Sequence, residues 1–447
     1  MDKTEFKNRL FQAATNSGIE EMEFFYMHSK SNEVSVYQGD VENYQNSSVG
    51  GIGIRGLYNG VMGYYYSENT EHEDVSAVIE AVKENAAIKD SGDKEFIFEG
   101  SDSYAKLNTY NQALSDYPVQ ARIDAAMAME KAALAYDKRI ESVSTAITAM
   151  GETEMYLANS KGLELTEKSN YIMAYIEVIA REGDSTKEKG EIWAGFDVKD
   201  LNPVEIAQRA AEKAISALGG SPVETGTYRV IVKNDVFAEI LDCFSDCFFA
   251  ENVQKGFSLL RGKVGSKIAN DKVSIWDEPL LEGGFSQTAF DSEGVASYNK
   301  AVVENGELKT YLYNLKSAYK DGVKSTGNGF KASYKGTVST ATTNFYLKPT
   351  DMGYEELMQS LGDGIIITDV AGLHSGANGI TGDFSLAASG FLVENGKKVR
   401  PVEQITIASN FFELLQNIEE IANDLYFNLA GTGSPSVIVG GIRVSGK

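Results

Sequence analysis

Histidine, cysteine and basic clusters are what this chain has least of. Its 447 residues contain three histidines, His28, His72 and His374, and two cysteines, Cys243 and Cys247. No two histidines are close enough in sequence to bind one metal from a single helix, which excludes the commonest helical zinc motif. Two thiols in a chain of this length fit a reducing compartment better than a disulfide-stapled secreted protein. No run of about 18 apolar residues occurs, and MDKTEFKNRL opens with charges where a secretory leader would be apolar. The expectation is a soluble, cytoplasmic protein with no membrane partner. Acidic residues outnumber basic ones by 64 to 41, a net charge of −23, and no Lys/Arg cluster stands out. Direct nucleic-acid binding, which needs such clusters to neutralise phosphates, is therefore not expected.

What is present is enough apolar residue, 43 %, for more than one core. SALGGSPVETGT (216–227) ends a helical pattern and precedes the strand-like YRVIV, which places a boundary there: an N-terminal domain over 1–220 and a C-terminal domain over 225–447. The first domain reads as one helix–strands–helix unit used twice, about 1–110 and 111–220. The second mixes short antiparallel strands with helices predicted at 235–256, 314–322, 352–362 and 410–425. The fold class is α+β.

GIGIRG (51–56) spells the dinucleotide-binding fingerprint, but LYNGVMGYYY follows where a helix must open. Asn59-Gly60 predicts a hairpin instead, and Gly51, Gly53 and Gly56 read as close-packing positions. The tetrapeptide VENG occurs at 303–306 and 393–396, predicting two further Asn-Gly hairpins.

LDCFSDCFF (241–249) holds both cysteines. On one helix their Cβ atoms would lie about 6 Å apart, too far for the ~3.8 Å of a disulfide. Two readings stay open. Flanking Phe244, Phe248 and Phe249 favour packed thiols; a metal held by Cys243 and Cys247 with Asp242, Asp246 or His374 is the fallback. His28 reads as a strand side chain, and His72 as preceding a helix. His374, in the glycine-rich GLHSGANG, is the one suited to touch a ligand or partner. Asp291 with Glu293 in FDSEG is one of many carboxylate pairs. STGNG (325–329) and GTGSPS (431–436) read equally as anion cradles or turns.

FDSEGVASYNKAVVENGELKTYLYNLKSAYKDGVKSTGNG (290–329), GLHSGANGITGDFSLAASGFLVENGKKV (372–399) and GIGIRGLYNGVMGYYYSE together resemble the TldD/PmbA family over nearly the whole chain. The resemblance implies a cytosolic peptidase system in which a TldD-type subunit pairs with a TldE/PmbA-type subunit to process peptides or unfolded proteins; an older family label is modulator of DNA gyrase. In the TldD type, it places His-Glu-x-x-x-His, with zinc or another divalent metal, on the helix after the boundary. Here that helix is FAEILDCFSDCFFAENV, which has Glu239 but no histidine. The expectation is a TldE-like partner without catalytic or metal-binding residues of its own, working as a homo- or heterodimer, in which His374, Ser375 and Asn378 contact peptide or partner. The alternatives are a stand-alone metallopeptidase with unusual ligands and a regulator reaching DNA gyrase through protein contact.

Overall fold

The computed structural model describes residues 3–69, 74–88, 92 and 94–447; His72 lies outside them. The N-terminal part runs α1 (Lys3–Asn16), β1 (Glu21–Tyr37), β2 (Asp40–Tyr58), β3 (Val61–Ser67), α2 (Val75–Ile88), α3 (Gln112–Ser115), α4 (Val119–Tyr136), β4 (Ile140–Asn159), β5 (Glu164–Glu182), β6 (Ser185–Gly195) and α5 (Pro203–Ser216). Its strands form one antiparallel sheet in the order β3-β2-β1-β4-β5-β6. Helix, three strands and helix thus occur twice, joined where β1 meets β4. Strand β5 shows the cause of its own placement. Ile172, Ala174, Ile176, Val178 and Ala180 alternate inward, and all are buried. Helix α5 starts from Asn202, whose side chain accepts the Glu205 N–H at 3.3 Å, with Pro203 in the first turn. It buries Ile206 and four alanines against the sheet.

The C-terminal part continues with β7 (Gly226–Val232), α6 (Asn234–Cys243), α7 (Ala250–Lys255), β8 (Ile275–Asp277), β9 (Lys300–Glu304), β10 (Glu307–Leu308), α8 (Leu315–Asp321), β11 (Gly329–Phe330), β12 (Ser339–Thr340), β13 (Phe345–Leu347), α9 (Tyr354–Leu361), β14 (Gly364–Ala371), α10 (Leu373–Gly376), β15 (Asp383–Glu394), β16 (Lys397–Asn410), α11 (Phe411–Gln416), β17 (Ile418–Ile421), β18 (Tyr426–Phe427), β19 (Thr432–Ser434) and β20 (Val437–Ser445). One sheet has the order β16-β15-β14-β7-β20-β17, and a further β16–β20 pairing closes five of its strands into a ring. A second sheet has the order β10-β9-β8-β13-β19-β18. The strands are mainly antiparallel, but β7 runs parallel to β14 and β13 parallel to β19.

All three Asn-Gly turns form, with positive φ at both residues: Asn59 and Gly60 at 52° and 75°, Asn305 and Gly306 at 48° and 77°, Asn395 and Gly396 at 52° and 71°. GIGIRG lies inside β2 and is followed by β3, so no helix N-terminus meets it. Gly53 is there for contact, since a Cβ on it would sit 2.3 Å from the Tyr334 carbonyl oxygen. His28 is a strand residue as expected, with Nε2 2.9 Å from Ser48 Oγ.

The helices expected at 314–322 and 352–362 are α8 and α9, but two other expectations are corrected. The helix expected over 235–256 breaks after Cys243 into a 3₁₀ turn, Ser245–Phe248, and the separate α7. Backbone pairing with a distant segment outcompetes the helix here: Leu312 N donates to Phe248 O at 2.9 Å and Ala250 N to Leu312 O at 2.9 Å. The helix expected over 410–425 stops at Gln416, because Ile418 and Ile421 are buried on β17 against Val439 and Val437 of β20. The spacing I-E-E-I suits a helix face, and tertiary pairing overrides it.

Candidate functional site

Helix α6 leads from the end of β7, a strand flanked by β14 and β20, toward the loop that follows β14. Its side chains Val236, Phe237, Ile240 and Leu241 are buried, which leaves Asp235, Glu239 and Asp242 on the outer side. Glu239 opens to solvent, yet partial desolvation, then Asp235, Asp369 and Asp242, raise its carboxyl above the ordinary range. Asp242 Oδ1 accepts from Thr432 Oγ1 at 2.6 Å. Lysines from the N-terminal part meet this acidic wall: Lys189 Nζ lies 2.7 Å from Asp369 Oδ2, and Lys213 Nζ 2.7 Å from Glu191 and 4.0 Å from Asp235.

Cys243 and Cys247 are both free, and they do not share one α-helix. Cys247 is 1 % exposed among the phenylalanines of the main core. Cys243 closes α6, its Sγ 3.9 Å from the Leu373 carbonyl oxygen. Burial raises both thiols, and Asp246 raises both further. They stay protonated at neutral pH, which suits packing and not metal ligation or nucleophilic attack.

The structure brings the 372–383 loop onto this helix end. A Cβ on Gly379 would lie 3.5 Å from Asp246 Oδ1. Within the loop Asn378 is committed locally: its Oδ1 accepts from Ile380 N at 3.0 Å and Thr381 N at 3.2 Å, and its own N–H donates to Asp383 O at 2.8 Å. His374 and Ser375, on α10, are exposed beside it. Of the fallback ligands, Asp242, Cys243 and Asp246 lie at this helix end, Cys247 lies in the core, and His374 sits on the neighbouring loop. Among the described residues no group of three or more His, Cys, Asp or Glu side chains is placed to hold a metal ion.

A second constellation involves FDSEG. Arg55, from the middle of GIGIRG, grips Glu23 with two bonds, Nε to Oε1 at 2.8 Å and Nη2 to Oε2 at 2.7 Å. Its Nη1 lies 3.5 Å from Glu293 Oε1, and Lys331 Nζ lies 2.8 Å from Glu23 Oε1. All four side chains are at least 96 % buried. Burial opposes ionisation of Glu23, but Arg55 and Lys331 outweigh it and hold the carboxyl below its ordinary range. Burial raises Glu293 despite Arg55. Asp291 accepts three backbone N–H groups, from Glu293, Val295 and Gly329, at 2.9, 3.0 and 2.9 Å. Burial, with Glu293 adding to it, still pushes it up to about 8. Arg55, Glu23 and Lys331 are not singled out by any motif in the sequence. The signal available was a single arginine inside a strand whose neighbours are all glycine or isoleucine.

In the two glycine-rich segments polar side chains are engaged within the fold. Asn328 of STGNG donates to Asp277 Oδ2 at 2.8 Å, beside Lys300 at 2.9 Å, all buried. Ser436 of GTGSPS donates to Asp424 Oδ2 at 2.7 Å.

Comparison with known proteins places this geometry in a family. Residues 22–86, 113–218 and 225–446 match the first, central and C-terminal domains of the PmbA/TldA metallopeptidases. A metalloprotease PmbA homolog from Haemophilus influenzae is 28 % identical over 424 residues, 93 % of this chain and 90 % of its own length. A Thermotoga maritima crystal structure, described as that of a proposed modulator of a DNA gyrase, is 34 % identical and superposes with a TM-score of 0.92 over 99 % of this chain and 100 % of that one. TldE from Thermococcus kodakarensis, 22 % identical, shares the fold with a TM-score of 0.90, covering 99 % of this chain and all of its own. The metal that the family name implies does not fit the residues present on α6, which offers no imidazole and ends in a thiol kept protonated. No helix among the described residues is long and apolar enough to cross a membrane. With three family domains matched in order along its length, the chain belongs to the PmbA/TldD family.

Proposed function

We propose that this chain is the non-catalytic, TldE/PmbA-type subunit of a cytoplasmic peptidase pair, and that a TldD-type subunit supplies zinc or another divalent metal. The observation that carries this reading is α6: it has Glu239 but no histidine, and its terminal thiol is masked by burial. The names PmbA and TldE carried by the Haemophilus and Thermococcus relatives support the subunit type. In this reading the chain divides between 220 and 225, and the C-terminal part encloses the substrate. The loop 372–383 lines the cleft toward the partner, where His374 and Ser375 touch an extended peptide while Asn378 holds the loop's shape. A peptide held as an added strand gains affinity from backbone hydrogen bonds, so unfolded and peptide substrates of varied sequence would be accepted.

The test mixes this chain with the TldD-type protein of the same organism and follows cleavage of an unstructured peptide. Cleavage needs both chains, stops when the partner's metal-binding histidine is replaced, and falls when residues 374–378 are replaced by glycine without loss of assembly. Robust cleavage by this chain alone would overturn the proposal.

A further inference from the structure

The segment GFSLLRGKVGS (256–266), between α7 and β8, is tied down along its backbone yet shows its large apolar side chains to water. Its residues alternate at first: Ser258 and Leu260 are buried, while Phe257, Leu259 and Arg261 are exposed. The buried residues anchor it. Ser258 Oγ donates to the Cys247 carbonyl at 2.6 Å and accepts the Leu260 N–H at 3.2 Å. The Tyr311 hydroxyl donates to Leu260 O at 2.6 Å and accepts the Gly262 N–H at 3.1 Å. Further on, Gly265 N donates to Leu308 O at 2.8 Å and Leu308 N to Ser266 O at 3.0 Å. A loop fixed this way cannot turn Phe257, Leu259 and Val264 inward, and they stay 52, 55 and 48 % exposed. The segment involves none of the residues at the seam, where Arg55 of the N-terminal sheet meets Glu293 of the C-terminal part.

Two further observations bear on what covers it. The first is continuity with the 372–383 loop. Phe257 N donates to Asn252 O at 2.8 Å, Asn252 Nδ2 donates to Asp246 O at 2.9 Å, and the Asp246 carboxylate is the neighbour of Gly379. Ile380, the next residue of that loop, is itself 48 % exposed. The second is charge. Arg261 and Lys263 are exposed beside the apolar side chains, and among the described residues neither makes an ion pair or a side-chain hydrogen bond. Single exposed apolar residues are ordinary on any surface, but several presented by one rigid loop mark a place of contact. Two cations left without acids, in a chain of net charge −23, suit carboxylates brought by a partner.

We propose that Phe257, Leu259 and Val264, together with Ile380, form the apolar centre of the surface on which the TldD-type subunit docks, and that this partner sets carboxylates against Arg261 and Lys263. The proposal rests on the partner-subunit reading and gives that contact its place and chemistry.

The test measures association of the full chain with the TldD-type protein of the same organism, by sedimentation, for the native chain and for two variants. Leu259→Asp puts a charge at the apolar centre and weakens association roughly ten-fold or more. The double variant Arg261→Glu with Lys263→Glu weakens it too, and its association loses the salt dependence that the native pair shows. All three side chains are exposed, so the melting temperature of the free chain does not change. Association within about two-fold of native in both variants overturns the proposal. So does unchanged association with a raised KM for peptide, which would make the loop a holder of substrate. Failure of the native chain to associate sinks the partner-subunit reading and this surface with it, whereas association that ignores the substitutions sinks the surface alone.

Discussion

The acidic wall of α6 and the seam cluster around Arg55 bring charge together in opposite ways. On the wall, Asp235, Glu239, Asp242 and Asp369 crowd one another at least partly in water, and the lysines that answer them come from the other part of the chain. In the seam, Glu23, Arg55, Glu293 and Lys331 are withdrawn from water and bonded to one another. Solvent screens the first arrangement, so each charge there is worth little to the fold. The second is unscreened, so removing one member strands the others. A face that tolerates change and remains open is suited to meeting a partner; the seam holds the chain in one shape.

The largest effect expected from this contrast is therefore at Arg55. Arg55→Ala leaves Lys331 alone to face both Glu23 and Glu293, at a cost of about 3–5 kcal/mol. Denaturant unfolding measures it, and a loss below about 1 kcal/mol would show that the seam is as screened as the wall. Next come two glycines. A Cβ on Gly53 meets the Tyr334 carbonyl at 2.3 Å, while one on Gly379 meets the Asp246 carboxylate, at 3.5 and 3.9 Å. Gly53→Ala should cost about 1–3 kcal/mol and Gly379→Ala less than about 0.5 kcal/mol. Equal costs would erase the distinction between tight and loose packing.

A third effect is a pH slope. Asp291 has its folded pKa raised from 3.8 to about 8. A raised pKa favours the neutral form in the fold, so the associated stability is complete below the unfolded value and is lost as pH rises through the folded one. The three backbone N–H bonds to its carboxylate act against burial and still leave the shift upward. Stability is expected to fall as pH rises across that window. In Asp291→Asn the slope of melting temperature against pH flattens, whatever the variant's absolute stability; an unchanged slope would assign the pH dependence elsewhere.

These contrasts also show what the sequence made legible. The α+β class, the repeated helix–strand unit and all three Asn-Gly turns follow from local rules, because periodicity and positive φ are properties of short segments. The helices expected at 235–256 and 410–425 end early because the deciding contacts, Phe248–Leu312 and Ile418–Val439, join residues far apart in the chain. The candidate sites divide the same way. The cysteines drew attention by rarity, yet Cys247 is a core residue. Arg55, Glu23 and Lys331 belong to one cluster only because the fold joins position 23 to 331, which no local pattern encodes. Asp291 and Glu293 were visible as a pair, but among 64 acids nothing local distinguished them.

The smallest effect on stability should come from Glu239, and it bears most directly on the role of α6. Its carboxyl is raised by partial desolvation and by three neighbouring acids, so ionisation opposes folding slightly more as pH rises. Because the group is open to solvent, screening limits the penalty to a few tenths of a kcal/mol. Glu239→Gln should therefore melt marginally higher than the native chain at pH 8 and coincide with it at pH 4. A partner subunit without catalytic residues also predicts that cleavage by the assembled pair changes less than roughly two-fold in this variant, since no proton is moved by Glu239. A general base would behave otherwise: losing it removes about 10²–10⁴-fold in rate. Measuring melting and cleavage on the same preparation separates these outcomes. A fall of that size with melting unchanged would make Glu239 a catalytic residue and return the chain to the stand-alone peptidase reading.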